Sequence, residues 1–194
     1  MTLTADELEL KAEGILRDAE TFLLPVPIEK VARHLNLTIE AVHLEDIAGV
    51  LVVIGNSGAI GYNSAHSVMR RRVTVAHEIS HFVLHAQRAE KPQIFAGKRV
   101  TFRLPGDDRV TPAYQKDVEA NLFGSALLMP RSAILKAIEF YSSDLEEEKD
   151  IKLLANQFRV SIPTMARRLH SLRLRLPLRR ILVRTTKGAT VPQL

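Results

Sequence analysis

The chain has 194 residues, no cysteine, no tryptophan and a formal net charge of +5. A hydrophobic share of 46% against 25% charged residues excludes an intrinsically disordered chain. The lack of thiols excludes a disulfide framework, a cysteine nucleophile and a thiolate metal site.

The first 17 residues are polar and acidic with no apolar core, so no secretory signal is expected. The longest apolar stretch, Val50 to Ile54, is far short of the roughly 20 residues that span a bilayer. The expectation is a cytoplasmic protein without a membrane partner. Thr4-Ala5-Asp6-Glu7 has the form of a capping box and predicts a helix to about Phe22. Leu8, Ala12, Ile15, Leu16 and Ala19 recur on one face of it. Pro25 and Pro27 interrupt the chain, and Pro27 suits the start of a second helix over 28–35. Residues 37–44, 50–54 and 59–63 read as strands separated by turns at 46–49 and 56–58, a small antiparallel meander.

A long helix over 67–85 follows. Residues 87–112 are basic, with Pro92, Gly97, Pro105 and Gly106, and read as a long functional loop. Helices are predicted over 114–129, stopped by Pro130, and over 132–141. The acidic stretch 142–150 reads as a linker. Helices over 151–158 and 162–172 and a strand over 180–185 complete the chain. Ten Lys or Arg and no acid follow Asp150, against 17 basic and 22 acidic side chains before it. That asymmetry points to an anionic partner for the C-terminal part, such as DNA or an acidic protein. The domain reading is 1–141, then a basic helical region over 150–194.

The strongest chemical signal is His77-Glu78-Ile79-Ser80-His81. Helix positions four apart share a face, with Cβ atoms roughly 5–6 Å apart. Two imidazoles so placed can hold one zinc ion at about 2.0–2.1 Å each. The metal lowers the pKa of its bound water to about 7, and Glu78 stands beside it to take the proton. Val73, Val75, Ala76, Ile79, Phe82, Val83 and Leu84 surround the motif with apolar surface. His85 continues the spacing, but lies about 12 Å along the axis from His77, too far to share an ion on an unbroken helix.

The third ligand must come from another element. On the helix around residue 120, Asp117, Ala120, Asn121, Gly124 and Leu128 share a face, and small Ala120 and Gly124 allow close approach. Asp117 is the favoured ligand, with Asn121 supporting a ligand from behind. Glu119 points about 160° away on a regular helix, yet its longer side chain keeps it as the second choice. Tyr62, Tyr114 and His85 are the candidates for stabilising an oxyanion, with no choice between them. The strand at 59–63, if it forms an exposed edge, could pair with an extended substrate.

These blocks resemble the ImmA/IrrE-type zinc metallopeptidases. The resemblance runs from Pro25 through Ala32, over Ile60-Gly61-Tyr62-Asn63 and Arg72 to His85, to Glu119-Ala120-Asn121-Leu122-Phe123 and Leu127-Leu128-Met129-Pro130. It implies an α+β, zincin-like fold in which a small antiparallel sheet packs on the active-site helix, with a helix-turn-helix-like C-terminal region. It implies a gluzincin-like Zn²⁺ endopeptidase acting on a transcriptional repressor or antitoxin, in stress responses or mobile-element induction. It also implies that the third ligand is the acid four residues before the Asn. That is Asp117 here, where the family usually has Glu; Ser80 stands where it usually has Gly, and Gly124 where it usually has Ala.

The stretch 153–169 resembles a bacterial helix-turn-helix, with Ser161 capping the second helix and Thr164, Arg167 and Arg168 along it. The alternative function is therefore a DNA-binding regulator whose metal site is structural or degenerate. An intact Glu78 favours the peptidase, because a structural site needs no general base.

Overall fold

A computed structural model describes residues 3–86, 92–97, 111–141 and 148–174. The predicted strand at 180–185 and most of the predicted loop at 87–112 lie outside these residues. The chain divides into two compact units, Met1–Pro130 and Arg131–Leu194.

The first unit opens with α1 (Ala5–Asp18), where Thr4 and Glu7 form the capping box and Leu8, Ala12 and Leu16 are buried. Next come α2 (Ile28–His34), β1 (Leu37–Val42), β2 (Gly49–Ile54), β3 (Ser57–Asn63) and α3 (Val68–Leu84). Then follow β4 (Gln93–Gly97) and α4 (Pro112–Leu128). Ser67 and Thr111 cap α3 and α4 by accepting from the amides of Arg70 and Tyr114, and Pro112 occupies the first turn of α4. α3 packs along α4 and against β2 and β3, and α1 also packs on α4.

The four strands lie in the order β1-β3-β2-β4. β3 runs antiparallel to β2 but parallel to β1, so the sheet is mixed, not the antiparallel meander that the strand spacing suggests. β3 is central because its glycines make room on both sides. A Cβ on Gly61 would stand 3.0 Å from Val50 Cγ1 and 3.1 Å from Val42 Cγ2. The buried Asn63 side chain donates to the carbonyls of Leu44 and Ile47, tying down the connection that carries the chain from β1 to β2. A central β3 has no open edge, which corrects the expectation that residues 59–63 pair with substrate. β4 was not foreseen at all. It pairs antiparallel with β2, and among the described residues nothing pairs with its outer side.

The second unit contains α5 (Arg131–Tyr141), α6 (Glu148–Phe158) and α7 (Ile162–Ser171). α6 and α7 bury Ile151, Leu154, Phe158, Met165 and Leu169, and Ser161 caps α7. The fold class is thus the expected mixed α and β, with seven helices and one sheet among the described residues. No described helix is long and apolar enough to cross a membrane.

Candidate metal centre

The centre is built where α3 crosses α4. Every residue of α3 from Thr74 to His81 is buried. The two helices approach closely because position 124 carries no side chain. A Cβ there would lie 3.1 Å from the Ala76 carbonyl oxygen and 3.2 Å from Ser80 Oγ. Ser80 sits flat because its hydroxyl donates to the Ala76 carbonyl at 2.6 Å.

This approach brings the Asp117 carboxylate of α4 to the two histidines. His81 Nε2 lies 3.0 Å from His77 Nε2 and 3.3 Å from Asp117 Oδ1. One potential ligand atom from each of His77, His81 and Asp117 lies within 4.8 Å of the other two. Donors bound tetrahedrally at about 2.0–2.1 Å stand about 3.3 Å apart, so this set fits a zinc-sized ion. Glu119 is not in the set; its carboxylate faces His85 Nε2 at 3.7 Å.

The surrounding groups also suit a cation. His77 Nδ1–H donates to Asn121 Oδ1 at 3.1 Å, which leaves the Nε2 lone pair facing the cluster. Burial pushes His77 below its ordinary range. Burial, reinforced by His77, pushes His81 down to about 3. Both rings are therefore neutral at neutral pH, with lone pairs available as ligands. Glu78 is 2% exposed and its Oε2 has no hydrogen-bond partner. Burial, and secondarily the Asp117 charge, raise the Glu78 carboxyl to about 8. A buried carboxyl oxygen without a partner costs several kcal/mol unless it is protonated or a ligand meets it.

Three further residues border the site, and two of them, Phe95 and Gly49, escape a reading of the motif alone. Phe95 of β4 stacks on His81 with ring centroids 5.4 Å apart. Its signal was an Ile-Phe-Ala run between Pro92 and Gly97, short enough to pass as loop. Gly49, at the start of β2, leaves the space that the Glu78 carboxylate fills. A Cβ there would stand 3.0 Å from Glu78 Oε1 and collide with Thr74 Cγ2. His85 caps α3 and reaches the Lys116 carbonyl at 3.0 Å.

Tyr62 faces a cavity lined also by Arg33, Arg71 and Arg72, and the Arg71 guanidinium stands 5.5 Å over its ring. Tyr114 is in the exposed first turn of α4. On α7, Thr164 bonds to Ser161 and Arg167 is exposed, but Arg168 is 3% exposed. Buried as it is, Arg168 cannot share a groove-facing surface with Arg167 in this conformation.

Residues 32–170 match the family model Peptidase_M78, described as the IrrE N-terminal-like domain. No curated protein matches the chain.

Proposed function

The chain belongs to the Peptidase_M78 family, and from that premise we propose that it is a zinc endopeptidase cutting a cytoplasmic regulatory protein of the repressor or antitoxin type. The observation that carries this reading is the pairing of a three-donor cluster with a buried, unpartnered carboxyl oxygen on the next residue of the same helix. His77, His81 and Asp117 would hold the ion. A divalent cation there supplies a Lewis acid, an acidified water and the positive charge that keeps the neighbouring carboxylate ionised.

The chain's own residues do the rest. Glu78 takes the proton of the attacking water on a carboxylate oxygen and returns it to the leaving amine nitrogen. Asn121 fixes the His77 ring, and Phe95 limits the swing of His81. Among the described residues the outer edge of β4 is unpaired, and its backbone donors and acceptors beside His81 would serve an extended peptide, the role that β3 cannot play. The decisive experiment incubates the zinc-loaded full chain with candidate repressors and maps products by mass spectrometry. Cleavage that stops on chelation and in Glu78→Gln supports the reading. Intact substrates with a fully loaded protein count against it.

The second reading, a DNA-binding regulator, draws on the capped α6–α7 pair and the ten basic residues after Asp150. It expects a specific footprint whose affinity falls steeply with salt and is weakened by Arg167→Ala. Salt-insensitive or absent binding would reject it.

A further inference from the structure

We infer that His85 is a positioning residue that holds the Asp117 turn of α4 in register with the two histidines of α3. The inference rests on the metal reading above and concerns how the third ligand is kept in place.

Asp117 lies on a stretch that burial does not fix. Every residue of α4 from Pro112 to Val118 is exposed, and the first buried residue of the helix is Ala120. On the C-terminal side of Asp117 the nearest hydrogen bond to α3 is that of Asn121 Oδ1 with His77 Nδ1 at 3.1 Å. That contact is about 6 Å along the axis from residue 117 at 1.5 Å per residue. A helix tilt of about 10° about it would shift Asp117 by about 1 Å, roughly half the length of a metal–oxygen bond. Something must restrain this turn if the carboxylate is to meet both imidazoles.

His85 is placed to do so. It caps α3, its backbone amide bonding back to the His81 carbonyl, and its ring lies 5.3 Å from that of His81. From there Nε2–H donates to the Lys116 carbonyl at 3.0 Å and faces Glu119 Oε2 at 3.7 Å. These two acceptors bracket Asp117 in sequence. A helical carbonyl has two lone pairs, so Lys116 can accept from His85 without losing its bond within the helix. The one neutral imidazole thus joins the ligand-bearing end of α3 to the backbone of the ligand-bearing turn of α4.

The test is Co²⁺ and Zn²⁺ affinity of the full chain, with unfolding of the metal-free protein measured in parallel. His85→Ala is expected to weaken metal binding about 10–100-fold, the usual cost of losing a group that orients a ligand. His85→Gln, whose amide nitrogen falls near the place of Nε2, should recover most of it. In an Asp117→Ala background His85→Ala should cost nothing further, because the group it positions is gone. An equal loss in that background would overturn the inference. So would a His85→Gln as weak as His85→Ala, or a metal-free His85→Ala destabilised enough to explain its affinity. If the wild-type chain takes up no metal, the failure lies with the metal reading. If it binds and His85→Ala binds equally well, only the positioning role is refuted.

Discussion

On α3, His77, Glu78 and His81 are 5%, 2% and 5% exposed, in a run of helix buried on all sides. On α4, the Asp117 side chain is 56% exposed and the turns before it face solvent throughout. The same cluster is therefore held by close packing on one side and by a few polar contacts on the other. The packed half cannot move without opening the core. The exposed half can, and its geometry depends on Asn121, His85 and the fit at Gly124. Substitutions on α3 should then act as losses of chemistry, and those on α4 as graded losses of position.

The largest effect should come from the packed half. His77→Ala or His81→Ala removes a neutral imidazole that no neighbour can replace, and metal analysis should fall from about one zinc per chain to none. Zinc retained in the double variant would show that the cluster is not the site. Glu78→Gln comes next. It keeps shape and metal but removes the proton acceptor, so the peptidase rate should fall about 10²–10⁴-fold at unchanged zinc content. An unaltered rate would take the base role away from Glu78.

On the exposed half, Asp117→Ala should weaken zinc binding more than Glu119→Ala does. Asp117 Oδ1 is 3.3 Å from His81 Nε2, whereas Glu119 Oε2 faces His85 Nε2 at 3.7 Å. Competition with a chromophoric chelator ranks the two. The reverse ranking would move the third ligand to Glu119 and would mean that α4 turns when the ion binds.

The same contrast explains how much could be read beforehand. The α3 half was legible because His77 and His81 recur at helical spacing within an apolar run, and a helix fixes their mutual geometry locally. Asp117 was favoured over Glu119 because it shares a face with Ala120, Asn121 and Gly124, and the closeness of α3 and α4 at Gly124 is what that pattern allows. The sheet order was not legible. Short apolar stretches bounded by turn residues identify β1, β2 and β3, but pairing partners depend on the crossover pinned by Asn63, a contact between residues 16 and 19 positions apart. β4 was hidden because the five residues Gln93–Gly97 carry too little periodicity to outweigh their loop-like flanks. The burial of Arg168 was also beyond reach, since α7 offers Arg167 and Arg168 side by side and only packing separates them.

The smallest effect tests the fit between the halves. Ser80 stands where the resembled family usually has Gly, and Gly124 where it usually has Ala. In the structure these positions face each other, since a Cβ on residue 124 would lie 3.2 Å from Ser80 Oγ. The two departures therefore amount to one exchange, with bulk moved from α4 to α3 across a single contact. Gly124→Ala alone gains about 1 kcal/mol of helix propensity. It also forces that methyl against Ser80 and the Ala76 carbonyl, an overpacking cost of about 1–3 kcal/mol. Ser80→Gly alone loses the bond to Ala76 and adds a glycine inside a helix, which costs about 1 kcal/mol. Made together, the changes should be more stable than the sum of the singles by about 0.5–3 kcal/mol in denaturant unfolding, the range expected of residues in contact. Zinc affinity should dip in Gly124→Ala, where α4 is pushed outward, and return in the double variant. Strict additivity in both measurements would separate the two positions, and the approach of α4 to α3 would then have to be set elsewhere along the helices.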